Sequence, residues 1–105
     1  MGSLTYGAVG TNFVFDDRTL FHLQLVIVAK LRRGERFCLS WSLGPDSGGG
    51  RCAVWLDPSI PIAFQFVRAP AISVNRGWLE QMMQAANSVD GLHLSADPSE
   101  ASRAG

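Results

Sequence analysis

The chain is 105 residues long, 47% hydrophobic and only 17% charged. That balance is globular and excludes a disordered or densely charged chain, with room for one core and not two. Nine basic and nine acidic residues cancel, so no global field draws the protein toward nucleic acid or anionic lipid, and any such affinity has to come from a local patch.

Met1-Gly2-Ser3-Leu4 shows no basic stretch leading into an apolar run, which argues against a secretory signal and for a cytoplasmic protein. Leu4 and Tyr6 alternate with polar neighbours, Gly7 to Gly10 supplies turn residues, and Phe13 and Phe15 resume the alternation. This is the pattern of a β-hairpin. Asp16 and Asp17 stand at the entrance to an apolar run, where a carboxylate caps free backbone N–H groups and complements the helix dipole. The spacing predicts a first helix from Arg18 to Arg33. Leu20, Leu23, Ile27 and Leu31 line one side, Phe21, Leu25 and Val28 a neighbouring one, and His22, Val26, Lys30 and Arg33 a narrow remaining stripe. So wide an apolar arc predicts burial on more than one side. The run is interrupted by His22, Gln24 and Lys30 and falls short of the roughly 20 residues of a membrane span, so no membrane association is expected.

Phe37, Leu39, Trp41 and Leu43 alternate with Cys38, Ser40 and Ser42, as a half-buried strand does. Gly44 to Gly50 reads as a flexible loop and Cys52 to Leu56 as the return strand. In Asp57-Pro58-Ser59-Ile60-Pro61 neither proline can donate to a ladder, so the sheet breaks there and restarts at Ile62, Phe64 and Phe66. Arg68-Ala69-Pro70 ends that strand. Asn75 is placed to cap a second helix in which Trp78, Leu79, Met82, Met83 and Ala86 recur at helical spacing. Asn87 to Gly91 terminates it, and Leu92 and Leu94 suggest a last short strand. The expectation is an α+β fold in the order ββ-α-βββ-α-(β), an antiparallel sheet of five to six strands with two helices packed on one face. One domain covers residues 1–95, and the polar segment 96–105 is expected to be a disordered tail.

No complete catalytic signature is present. Cys38 and Cys52, the two cysteines of the chain, are too few for a structural zinc site. A hairpin that sets Leu43 beside Cys52 holds the two thiols too far apart for a disulfide. His22 and His93 have no spaced partner; His22 reads as a residue packed at the helix surface. Ser40, Ser42 and Ser59 lack a G-x-S-x-G context, and Asp57-Pro58-Ser59 reads as turn chemistry. Gly48-Gly49-Gly50-Arg51 opens a strand, whereas a phosphate-binding loop opens a helix. No metal and no cofactor are expected.

Two features keep a binding function in view. Lys30, Arg32, Arg33 and Arg36 put four cations within seven positions at the end of the first helix. That is both a complete helix-capping arrangement, with Gly34 as the left-handed cap, and a set of side chains able to grip phosphate. The hairpin also sets Trp55 beside Ser40 on the sheet face opposite Trp41, where a Trp near Arg51 makes a stacking platform.

Asp17-Arg18, His22, Ala29-Lys30-Leu31-Arg32-Arg33-Gly34-Glu35, Ser40-Trp41, Gly50-Arg51, Pro58-Ser59-Ile60-Pro61, Asn75-Arg76, Trp78, Ala86-Asn87-Ser88 and Gly91-Leu92 together resemble a small actinobacterial domain family of unknown function. The resemblance runs from Leu4 to Leu94. Members of that family often carry the label "ATP-dependent DNA ligase". The resemblance to the ligase motif K-x-D-G-x-R is incomplete: Arg33 stands where the aspartate belongs, Leu31 where the lysine belongs, and Lys30 is one residue out of register. No catalytic residue carries over.

The leading expectation is a non-catalytic module that binds DNA or a DNA-repair protein through Lys30, Arg32, Arg33, Arg36, Arg51 and Trp55. The alternatives are a ligase-type enzyme with Lys30 as nucleophile and a homodimer formed through the first helix.

Overall fold

The computed structural model describes residues 2–42, 50–67 and 73–94. The expected loop from Gly44, the strand end at Arg68-Ala69-Pro70 and the tail from Ala96 lie outside the described residues, apart from Gly50.

Strands β1 (Gly2–Tyr6) and β2 (Thr11–Phe15) form the antiparallel hairpin that the alternation predicts, with Leu4 opposite Phe13. Helix α1 (Asp17–Arg32) starts on Asp16, whose carboxylate accepts from the Thr19 N–H at 3.1 Å and the Thr19 hydroxyl at 2.6 Å. It ends on Gly34, whose N–H donates to the Leu31 carbonyl at 3.0 Å from the left-handed region at φ 72°, a conformation that costs a side-chain-bearing residue. Strands β3 (Phe37–Ser42) and β4 (Arg51–Leu56) pair antiparallel. The register sets Trp41 opposite Cys52 and Cys38 opposite Trp55, two residues away from the sequence expectation of Leu43 beside Cys52. A shift of two keeps every side chain on its predicted face, because strand side chains alternate with period two. The two cysteines are free. Strand β5 (Ile62–Gln65), helix α2 (Arg76–Ala86) and strand β6 (Leu92–His93) complete the described elements. The Asn75 side chain caps α2 by accepting from the Trp78 N–H at 3.0 Å.

The fold is α+β, with six strands in two three-stranded sheets, ordered β2-β1-β5 and β4-β3-β6. A single sheet with both helices on one face is therefore corrected. The Asp57 to Pro61 turn sends the chain out of one sheet and into the other. Asp57 Oδ1 accepts from the Ser59 N–H at 2.9 Å and its hydroxyl at 2.7 Å, and β5 then pairs with β1. Each helix serves its own sheet: α1 lies against β1 and α2, and α2 lies against β3 and β6. The second sheet is mixed, because β6 runs parallel to β3.

Leu4, Leu20, Leu23, Ile27, Leu39, Leu56, Trp78, Met82 and Leu92 form one buried cluster. Trp41 joins the two sheets, edge-on to Phe13 and Phe15 with centroids 5.2 and 5.1 Å away. The stripe His22, Val26 and Lys30 is buried, whereas Leu25 and Val28 on the neighbouring apolar side are exposed. This reverses the expected orientation of part of α1, because the packing of α2 chooses which stripe is covered. His22 is fully buried with its ring tilted 37° against Trp78 at 4.6 Å between centroids, not packed at the helix surface. Its Nδ1 lies 2.8 Å from the Arg18 carbonyl and its Nε2 accepts from the Asn75 N–H at 3.0 Å. Both ring nitrogens therefore hold structure together.

Candidate binding surface

The four cations at the end of α1 divide into different environments. Lys30 is buried: Nζ donates to Asn87 Oδ1 at 2.6 Å, pairs with Glu35 Oε1 at 3.0 Å and stands 5.8 Å from the Phe37 ring centroid. It ties the end of α1 to the end of α2. The Lys30 hydrogen bond outweighs the opposing effect of burial and, with the charges of Arg33 and Lys30 behind it, holds the Glu35 carboxyl below its ordinary range. Arg33 lies 3.6 Å from the same carboxylate oxygen. Arg32 is exposed on the outer side of α1. Arg36 pairs with Asp57 Oδ2 at 3.2 Å, where the Ser59 N–H and hydroxyl, with the Arg36 charge, hold the Asp57 carboxyl low against a smaller burial effect.

Arg51 and Trp55 occupy a different surface. Phe37, Leu39 and Trp41 turn one face of β4-β3-β6 toward the core, so alternation puts Cys38, Ser40 and Ser42 on the opposite face. Across the ladder lie Trp55, Ala53 and Arg51 in turn, and one step beyond it stands the Arg36–Asp57 pair. Trp55 is 56% exposed, whereas Trp78 is 1% exposed. Its backbone is anchored by the other sheet: the Tyr6 hydroxyl donates to the Trp55 carbonyl at 2.6 Å and accepts from the Asp57 N–H at 3.1 Å. The indole thus stands on a braced strand, with Arg51 and Arg36 on either side along the sheet.

Arg51 reaches diagonally over β3. Its Nη2 lies 3.2 Å from Ser40 Oγ and 3.1 Å from His93 Nδ1, and those two atoms are 2.8 Å apart. Ser40 is buried beneath this contact, whereas Arg51 and His93 are exposed. Sequence reasoning missed Ser40 and His93. Alternation alone places Ser40 on the open face, but His93 joins it only through the parallel β3–β6 pairing, which no local pattern announces.

Among the described residues no group of three or more His, Cys, Asp or Glu side chains is arranged to hold a metal ion. No helix among them is long and apolar enough to cross a membrane. A family model described as "Domain of unknown function (DUF7882)" matches residues 1–97. No curated protein and no solved structure matches the chain.

Proposed function

We propose that this chain, which belongs to the family Domain of unknown function (DUF7882), is a non-catalytic cytoplasmic module that binds single-stranded nucleic acid, with DNA first, on the open face of β4-β3-β6. One observation carries this reading: an exposed Trp55 stands on a rigid strand between Arg51 and Arg36. An indole face accepts any base by stacking, and flanking guanidinium groups supply the phosphate contacts. Arg36, Arg51 and Trp55 form the proposed surface. Arg32 and Arg33 stay at the end of α1, away from this surface, and Lys30 serves the fold. The enclosed Lys30 ammonium is also a poor nucleophile, which weighs against the ligase-type alternative.

Fluorescence anisotropy of labelled single-stranded and nicked duplex DNA, titrated at about 50 mM and about 200 mM salt, tests the reading. Micromolar binding that weakens with salt is expected, with Trp55→Ala costing about tenfold in affinity and Arg32→Ala/Arg33→Ala costing less than Arg51→Gln. Absence of binding at the lower salt concentration overturns it.

The outer side of α1 favours a second reading, self-association. Leu25 and Val28 are exposed and, with Phe21 and Ala29, line a shallow groove of about 390 Å³. Light scattering at high protein concentration decides it, a strict monomer removing this reading.

A further inference from the structure

The cluster of Arg51, Ser40 and His93 lies on the proposed surface, but a stacking platform does not require it. A guanidinium group can only donate hydrogen bonds, so its approach to both partners assigns the available lone pairs. Arg51 Nη2 donates to Ser40 Oγ, and it shares the single lone pair of His93 Nδ1 with the Ser40 hydroxyl, which donates to the same nitrogen at the shorter distance. On this assignment His93 carries its proton on Nε2. The three N–H groups on Nε and Nη1 of Arg51 and the Nε2–H of His93 are left to meet a ligand.

We infer that Arg51, Ser40 and His93 form a phosphate subsite on the open face of β4-β3-β6. The exposed groups that remain on Arg51 and His93 are all donors, so the ligand has to be an acceptor, and an oxyanion is the acceptor that guanidinium geometry fits best. The charge balance agrees. Arg33 and Arg36 each face a carboxylate, whereas among the described residues Arg51 is braced by neutral partners only. Its positive charge therefore stays available to an anion. The bracing also lowers the entropic cost of binding, because two side chains from two other strands already hold this long side chain across the sheet. Along β4, Arg51 and Trp55 are four residues apart, about 13 Å at the usual strand rise, a distance that a short single strand bridges with a base on the indole and a phosphate on the cluster. The source of the phosphate rests on the nucleic-acid reading. The donor geometry does not.

The test uses the whole chain and inorganic phosphate as the probe, followed by NMR of the His93 ring against chloride at matched ionic strength. Saturable shifts at His93 and Ser40 are expected with phosphate and not with chloride. Arg51→Gln is expected to weaken them about tenfold or more. Ser40→Ala, which releases the brace and leaves the charge, should weaken them less, and Arg76→Gln at the start of α2 should leave them unchanged. A His93 ring that phosphate does not move, or a shift that survives in Arg51→Gln, overturns the subsite.

Anisotropy with 5′-phosphorylated and 5′-hydroxyl single strands then identifies the source. Equal affinities assign an internal phosphodiester, and tighter binding of the phosphorylated strand assigns a terminal phosphate. Strand binding without a phosphate response removes the subsite and leaves the stacking surface. A phosphate response without strand binding does the reverse.

Discussion

The joint between α1 and β3 and the open face of β4-β3-β6 both concentrate cations, yet the two regions use them in opposite ways. At the joint Lys30 is enclosed by Asn87, Glu35 and Phe37, and Arg33 shares its carboxylate. Its charge is consumed in closing the fold. On the open face Arg51 rests on a serine and a histidine beside an exposed indole. The lesson is that a cation's role follows from what neutralises it. Local density along the chain is a poor guide, because four cations in seven positions include the most buried cation among the described residues. Arg36 lies between the regimes, exposed but paired with Asp57.

The largest expected effect is on the element that delivers His93. Gly91 sits at φ 80°, and a Cβ there would come within 2.6 Å of the Cys38 carbonyl oxygen. Strain in the left-handed region and overpacking together predict a loss of about 3 kcal/mol for Gly91→Ala, measured by urea unfolding. If that variant kept full stability, β6 would not be anchored to β3 as described.

Next comes the joint. Lys30→Ala removes a buried hydrogen bond, an ion pair and the packing of the stem, and should cost about 2 kcal/mol. Lys30→Met restores the stem and should recover part of the loss. The folded fraction of either variant should bind oligonucleotide as before, and weakened binding would move Lys30 from structure to recognition.

The open face should behave inversely. Trp55→Ala and Arg51→Gln, at exposed positions, should change stability by no more than about 0.5 kcal/mol while lowering oligonucleotide affinity. Thermal melts beside anisotropy separate the two, and a variant that loses both properties would erase the contrast.

The smallest effect is on acid stability. Asp57 is held below its ordinary value of 3.8 mainly by Ser59, with Arg36 contributing. A group whose folded pKa is depressed stabilises the fold above its unfolded pKa, and that contribution fades as pH falls through the folded value. Wild type should thus lose stability faster than Asp57→Asn below about pH 4, and parallel curves would show that the turn gains nothing from the charge.

Local instructions were legible in the chain. Asp16 and Asn75 both cap helices through their side chains, Gly34 takes the left-handed position, and the β1–β2 hairpin follows its alternation. Trp55 stands on the predicted face although the register differs by two, since only an odd slip reverses a strand. Of the six residues singled out as a site, Arg51 and Trp55 share the open face with Arg36 at its edge, Lys30 is buried, and Arg32 and Arg33 remain at the helix end.

What the sequence determined by itself is whatever depends on near neighbours: caps, turns, strand alternation and the break at Pro58 and Pro61. Tertiary structure alone decided that β5 joins β1, that β6 joins β3, that α2 covers His22 and Lys30, and that Ser40, Arg51 and His93 meet. The physical reason is range. Backbone propensity and capping act over a few residues, whereas these contacts join positions as far apart as Ser3 and Gln65, and their partners are chosen by how whole layers bury their apolar faces.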